Sequence, residues 1–400
     1  MKPELKAELN KICEEFTISR ENLSQISDAF YKDMNEKTML KMLKSYITVS
    51  DEKLIPNEYL AIDIGGSNIR IAKFSIEEND VIFKKIIKFP LRTRFRNYTS
   101  NKYSLKDLII KALKKIKPYI SRSKMYFLAV TVSFGIDSKS KTEANIVELS
   151  KGFKLKETIN RNIYEILMQA IFSAKLNIVP MAIINDCVAT LVTGRFYDKT
   201  ADVALIVGTG HNASFINNEK EVINIESANF NKNIPLTTFD NKYLEKISGE
   251  ANKLFEVLIG GKYIGKIADE IIKDLIERKL LNKCVEINTK VLVSCVNEDK
   301  DFLMPEEQRE VIKTIGELLF TRAAKLIVAE VYAIIKYIDK DLGNEHTIIF
   351  DGSVYEKCDF FKEEISREIN EVFGENASKI NHKLIKDASI IGPVIVEASE

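Results

Sequence analysis

The chain has 400 residues, 45% of them apolar and 29% charged, and its 59 Lys and Arg nearly cancel its 58 Asp and Glu. That length exceeds a single compact core and predicts two domains, while the balanced charge gives no global pull toward nucleic acid or a membrane surface. Five cysteines without CxxC spacing (Cys13, Cys187, Cys284, Cys295, Cys358), a charged helical start (MKPELKAELNKICEEF) and no apolar run of membrane-spanning length argue against a disulfide framework, a zinc site, a signal peptide and a span, so a cytoplasmic protein is expected.

In chain order, residues 1 to about 47 read as helices ending in MLKSYI, followed by a polar connector from Ser50 to Asn57. LAIDIGGSNIRIAKF, residues 60–74, alternates apolar residues up to Asp63, breaks at Gly65-Gly66-Ser67-Asn68 and resumes at Ile69-Arg70-Ile71, which predicts a glycine-tipped hairpin. Its glycines suit positive φ and exposed N–H groups that can approach an anion, Ser67 and Asn68 add side-chain donors, and Asp63 can face a hydrated divalent cation. Val81 to Phe89 predicts a strand, and the stretch Lys84 to Lys124, with 14 Lys or Arg and one acid, a basic face that reads first as solvated and otherwise as one that concentrates an anionic nucleotide or sugar phosphate. Helical spacing runs from Leu105 to Ile120, an apolar strand from Tyr126 to Phe134, then a polar loop, a helix from Ile159 to Leu176, a buried strand from Ile178 to Ile184 and a helix from Val188. ALIVGTGHNASF, residues 204–215, repeats the hairpin form with Gly208-Thr209-Gly210 at its tip and Asn212 beyond. Two such hairpins imply two similar halves facing one another across a cleft suited to a nucleoside triphosphate. Glu250 to Leu281 and Glu306 to Ile338 read as long helical runs, Thr347 to Phe350 as a strand leading into Asp351-Gly352-Ser353, Phe360 to Phe373 as a helix, and the apolar tail from Leu384 as docked. Strand-helix alternation makes the fold class α/β.

Common nucleotide signatures fail. No G-x-x-x-x-G-K-[ST] occurs, Gly261-Lys262 falling inside a helical run; Gly208 to Ala213 meets the loose dinucleotide pattern but is followed by SFINNEKEVINI, which reads as strand, turn, strand where a helix is required; and the protein-kinase set is absent. What remains is a constellation. Asn185-Asp186 ends a buried strand, where ligand sites of α/β folds lie, although Asp186 taken alone reads first as a helix cap. Ser133 ends another strand, Ser150-Lys151 lies in a loop, and Glu226 and Glu256 sit on later elements. Acceptor-rich side chains (Asn185, Asp186, Asn212, Glu226, Glu256) converging on one cleft suit a polyhydroxyl ligand, each hydroxyl of which offers a donor.

These residues carry a resemblance. AIDIGGSNIR, VTVSFGID, LSKGF, IINDCVATL, VALIVGTGHNA, INIE, KLFEVLIGGKYIGK, FTRAAKLIVAEVYAII and FDGSVYEKCDFF occur in the order of the eukaryotic-type hexokinase and glucokinase family, a branch of the actin-like ATPase superfamily, over nearly the whole chain. The resemblance implies a two-domain actin-like, ribonuclease H-like α/β fold, with a small domain (57–186 plus 385–400) and a large one (1–56 plus 187–384) around a cleft. It implies phosphorylation of a hexose, glucose first, at the 6-hydroxyl by ATP and Mg2+. Asp186 would be the general base and Lys151 a charge stabiliser; Ser133, Ser150, Lys151, Asn185, Asp186, Asn212, Glu226 and Glu256 would hold the sugar. Asp63, Gly65, Gly66, Ser67, Asn68, Arg70, Gly208, Thr209, Gly210, Asp351, Gly352, Ser353 and Ser389 would lie along the nucleotide, with Asp63 serving magnesium through water. The chain departs from the family pattern at Ser150 (for threonine), Leu149 (for an aromatic), Gly135 (for proline), Ser227-Ala228-Asn229, the GEANKLFE loop before Glu256, and Asp387 to Gly392, which lacks the family's lysine and glycines. Two alternatives stand beside this reading: a sugar-sensing homologue with weak catalysis, and an actin-like ATPase without a sugar substrate.

Overall fold

The computed structural model describes residues 2–50, 53–149, 152–247 and 253–399. Its strands in chain order are β1 (Leu43–Thr48), β2 (Glu58–Ile64), β3 (Asn68–Glu77), β4 (Asp80–Pro90), β5 (Tyr126–Val132), β6 (Gly135–Ser138), β7 (Ala144–Glu148), β8 (Ile178–Asn185), β9 (Ala201–Val207), β10 (His211–Ile216), β11 (Glu221–Asn224), β12 (His346–Asp351) and β13 (Ile380–Leu384). They build one sheet in the order β4-β3-β2-β5-β8 and another in the order β1-β11-β10-β9-β12-β13, with β6 and β7 as a separate hairpin. From β4 and from β11 onward the two orders are the same device, an antiparallel meander followed by two parallel strands. The repeat suggested by the two glycine-tipped hairpins is therefore present in the topology.

Between the sheets lies a shared apolar core. Ala61, Phe74 and Ile184 come from the first sheet, Ala204 and Ile349 from the second, and Val188, Leu191, Ile390 and Val394 from two helices, Asp186–Tyr197 and Ala388–Ala398, that pack on each other. Residues 186–194 are buried on every face of their helix, as expected of one enclosed by two layers. The tail is docked. Outside this core, Leu105–Ile116 closes the first sheet: a Ser104–Asp107 capping box starts it, and Leu105, Leu108, Ile109, Ala112, Leu113 and Ile116 form its buried stripe. Each of the larger aliphatic side chains contributes about 1.5–3 kcal/mol by leaving water. The 33-residue helix Glu306–Ile338 is the axis of the second core and packs against Arg20–Glu36 and Asp359–Phe373.

Three expectations are corrected. MLKSYI does not end a helix: the second helix stops at Glu36 with Lys37 left-handed, the Asp33 carboxylate accepts the Met39 and Leu40 N–H groups, and Leu43–Thr48 becomes an edge strand on β11. Its buried-exposed alternation was masked by the helical composition on its amino side. The run read as one helix to Leu281 is two, Leu254–Ile259 and Ile264–Glu277, because the chain breaks at Gly260-Gly261 to meet the second hairpin; its start, 250–252, lies outside the described residues. The stretch taken as a polar loop after Phe134 holds the β6–β7 hairpin, whose Ile136, Ala144 and Ile146 join the first core, and the helix begins at Ile163 rather than Ile159.

Candidate active site

β8 ends at Asn185 and hands directly to the helix Asp186–Tyr197. The helix cap is Asn185, whose Oδ1 accepts the Cys187 N–H at 2.8 Å; Asp186 holds the first helical position, 5% exposed, with its Oδ1 3.0 Å from the same N–H. Asp186 and Ser133 both line a cavity of about 180 Å3 bounded by the tips of the β2–β3 and β9–β10 hairpins and the turn after β12. Asp63, Gly65, Gly66, Ser67, Asn68, Arg70, Gly208, Thr209, Asp351, Gly352, Ser353 and Ser389 line it as well. The two tips touch, Ser67 Oγ lying 3.4 Å from Thr209 Oγ1. Gly210 does not reach the cavity; it abuts Glu256, and a Cβ there would stand 2.1 Å from Glu256 Oε2. The expected role of the tip glycines also changes: among the described glycines of this cavity only Gly352, at φ +115°, has a left-handed backbone, so the hairpin glycines serve close approach rather than positive φ.

Several carboxylates gather around Arg70 in this cavity. Arg70 Nε and Nη2 meet Asp63 Oδ2 at 2.8 and 2.6 Å, Nη1 meets Asp387 Oδ1 at 2.5 Å, and Nη2 donates to Ser389 Oγ at 2.7 Å. Burial pushes the Asp63 and Asp351 carboxyls up; Arg70 pulls both down, and Asp186 pushes both up. Asp63 Oδ1 is buried without a hydrogen-bond partner among the described residues. An orphan carboxylate oxygen among like charges is a place where a hydrated cation is stabilising. Among the described residues no group of three or more His, Cys, Asp or Glu is arranged to grip a bare metal, so the donor set fits contact through water.

Beside the cavity lies an amide and carboxylate network. Asn212 Nδ2 donates to Asn185 Oδ1 (3.4 Å) and Asn224 Oδ1 (2.9 Å), Asn224 Nδ2 donates to Glu226 Oε1 (2.8 Å), and Asn212 Oδ1 accepts the Glu226 N–H at 3.1 Å. Burial raises the Glu226 pKa, with Asn224 and Lys41 opposing. Glu256, 4% exposed and so no solvated helix acid, accepts from the His211 N–H at 3.2 Å and the Tyr263 hydroxyl at 3.4 Å. Ser150 and Lys151 lie outside the described residues, as do 249–252 of the loop before Glu256.

Several lining residues escaped sequence reasoning. Lys88 lines the cavity from β4, opposite Arg70 on β3, although the basic stretch holding it reads as a solvated face. Asn224 completes the amide network; INIE pointed to its neighbour Glu226 but not to it. A second cavity, about 520 Å3, shares Ser67, Gly208, Thr209 and Ser353 with the first and extends to Gly261, Lys262, Thr289, Val293 and Val354. Its floor is set by Gly261 N–H donating to Gly208 O (2.8 Å) and Lys262 N–H to Thr209 O (3.0 Å). An Ile-Gly-Gly-Lys break inside a helical pattern was the available signal.

With this geometry in hand, comparison with known proteins is informative. Two family models, both described as hexokinase, match residues 8–196 and 202–399. Hexokinase-2 of Oryza sativa is 26% identical over 94% of this chain and 88% of its own, and Hexokinase-1 of Schizosaccharomyces pombe 25% identical over 99% and 91%. A solved hexokinase from Schistosoma mansoni complexed with glucose superposes with a TM-score of 0.86 at 23% identity over 99% of both chains, which shows a shared fold.

Proposed function

The chain belongs to the hexokinase family, and from that premise we propose that it transfers the γ-phosphoryl group of Mg-ATP to the 6-hydroxyl of a hexose, with glucose the favoured substrate. The observation that carries the reading is that Asp186 lines the cavity between the two hairpin tips while the adjacent Asn185 is tied into the amide and carboxylate network. One residue pair thus joins a phosphate cradle to a polyol-binding cluster.

In this reading Asn185, Asn212, Glu226 and Glu256, with Ser133 and Ser150, hold the sugar by accepting hydrogen bonds from its hydroxyls, and orient the 6-hydroxyl toward Asp186. Asp186 takes the proton as the oxygen attacks phosphorus. Lys151 stabilises charge on the moving group. Ser67, Asn68 and Thr209, with the N–H groups of both tips and of the Asp351-Gly352-Ser353 turn, hold the phosphates, and Lys88 adds positive charge on the same wall. Magnesium, held through water at Asp63, would neutralise phosphate charge during transfer. The adjoining cavity, with Val293 and Val354 among its lining, takes the nucleoside. We assign 57–186 plus 385–400 to a small domain and the remainder to a large one, which close on the sugar and exclude water, the competing acceptor. Among the described residues no helix is long and apolar enough to cross a membrane.

The test is ADP release in a coupled assay over a panel of hexoses. Sugar-stimulated release with glucose among the good substrates is expected. Sugar binding without turnover would leave a sensor, and release indifferent to sugar an ATPase; either result overturns the proposal.

A further inference from the structure

At the outer rim of the sugar cluster, Glu148 meets two lysines: Lys41 Nζ lies 3.3 Å from Oε2, and Lys253 Nζ pairs with Oε1. The three come from different places in the fold. Glu148 is the last residue of β7, whose hairpin packs into the first core, and the chain passes from it through Leu149 to Ser150 and Lys151. Lys253 immediately precedes the helix Leu254–Ile259 that carries Glu256. Lys41 precedes β1, and its backbone N–H donates to Ile225 O at 3.0 Å, one residue before Glu226. One carboxylate therefore sits where the lead-ins to three sugar-site segments meet, one segment belonging to the first lobe and two to the second.

We propose that Glu148 is a positioning residue: through Lys41 and Lys253 it holds the end of β7 against the Glu226 and Glu256 segments, and so sets sugar affinity without entering the chemistry. This role rests on the hexose site proposed above. The side chains of Lys41, Glu148 and Lys253 are 32, 37 and 18% exposed, so the cluster is wet enough to break when the cleft opens and remake when it closes, and salt screens it. Burial works to raise the Glu148 pKa, but the hydrogen bond and charge of Lys253, followed by Lys41, outweigh it and hold the carboxyl below its ordinary value. Glu148 is thus ionised and paired at neutral pH. Bonds that exist only while the lobes are apposed stabilise the closed form, and a ligand that requires closure binds more tightly by that amount.

The experiment compares the full-length wild type with E148Q, K253M and the double variant, reading kcat, KM for glucose and KM for ATP at about 20 mM and about 0.5 M NaCl, with thermal melting as a folding control. Expected are a three- to tenfold rise in glucose KM for each single variant, kcat and ATP KM within twofold of wild type, and a double variant no worse than the poorer single, since both changes break one contact. Salt should raise the wild-type glucose KM and leave that of E148Q flat. An unchanged glucose KM in E148Q, or a uniform fall in all parameters together with melting temperature, overturns the positioning role while the hexokinase reading stands. A wild type inert on every hexose overturns the site reading, and this role with it.

Discussion

The two glycine-tipped hairpins that bound the cavity look alike in sequence yet are held by different physics. The β2–β3 tip is governed by charge: Arg70 bridges Asp63 beneath the turn to Asp387 and Ser389 of the tail. The β9–β10 tip has no charged residue at Gly208-Thr209-Gly210, and backbone bonds from Gly261 and Lys262 fix it through a contact too close for any side chain. One half of the cradle should therefore respond to charge and pH, the other to volume. Asp186 lines the same cavity, and its proposed role turns on its ability to take a proton.

Asp186→Asn is the largest expected effect, because asparagine still meets a hydroxyl and suits a helix start but cannot take a proton. A fall in kcat of roughly two to four orders of magnitude is expected, with melting nearly unchanged. Retention of more than about a tenth of wild-type kcat, worth only about 1.4 kcal/mol, would refute the catalytic assignment.

Arg70→Met tests the charged half. It leaves Asp63 and Asp351 buried without their cation, and should cost about 3–5 kcal/mol of stability at neutral pH. Both carboxyls already have raised folded-state pKa values, so the folded form holds protons that the unfolded form has released above its ordinary pKa near 3.8. Stability should fall with rising pH, more steeply in the variant, and denaturant titrations near pH 4.5 and pH 8 should show the larger loss at the higher pH. An equal loss at both would mean that Arg70 acts by packing.

Glu397, on the tail helix behind the first sheet, sharpens the same point. Burial pushes its pKa up to about 7 from 4.5, Lys141 opposing, and its Oε2 has no hydrogen-bond partner among the described residues. A raised acid costs stability as pH rises from about 4.5 to 7, with the full cost above. Glu397→Gln should stabilise by up to about 3 kcal/mol at pH 8 and by little near pH 4.5.

For the uncharged half, Gly261→Ala places a Cβ 2.8 Å from Gly208 O and 2.7 Å from Val354 Cγ2. Overpacking of this kind costs about 1–3 kcal/mol. The expected result is a roughly tenfold rise in ATP KM with the same pH profile as wild type. A shifted pH profile would mean that the two halves are not separable in this way.

How much of this was legible in the residues follows the same division. Local periodicity and turn chemistry suffice for both hairpins, for the strand that ends at Asn185-Asp186, and for the helix Glu306–Ile338, because each is decided by neighbours within a few residues. Where two local signals competed, the reading failed: helical composition hid β1, and a glycine pair tolerable in a helix hid the break at Gly260-Gly261. The cavity residues were named because ordered motifs carry them, whereas Lys88 and Asn224 lie beside motifs and show their role only through strand register.

The sequence by itself determined an α/β chain with a repeated hairpin, a carboxylate at a strand end and acceptors enough for a polyol, since spacing and residue chemistry are written along one dimension. Which carboxylates share Arg70, that Asn185 rather than Asp186 caps the helix, and that Glu148 meets both Lys41 and Lys253 emerge only once the chain is folded. Those pairings join residues up to 317 positions apart, and their energies depend on distance and burial, which no stretch of sequence encodes locally.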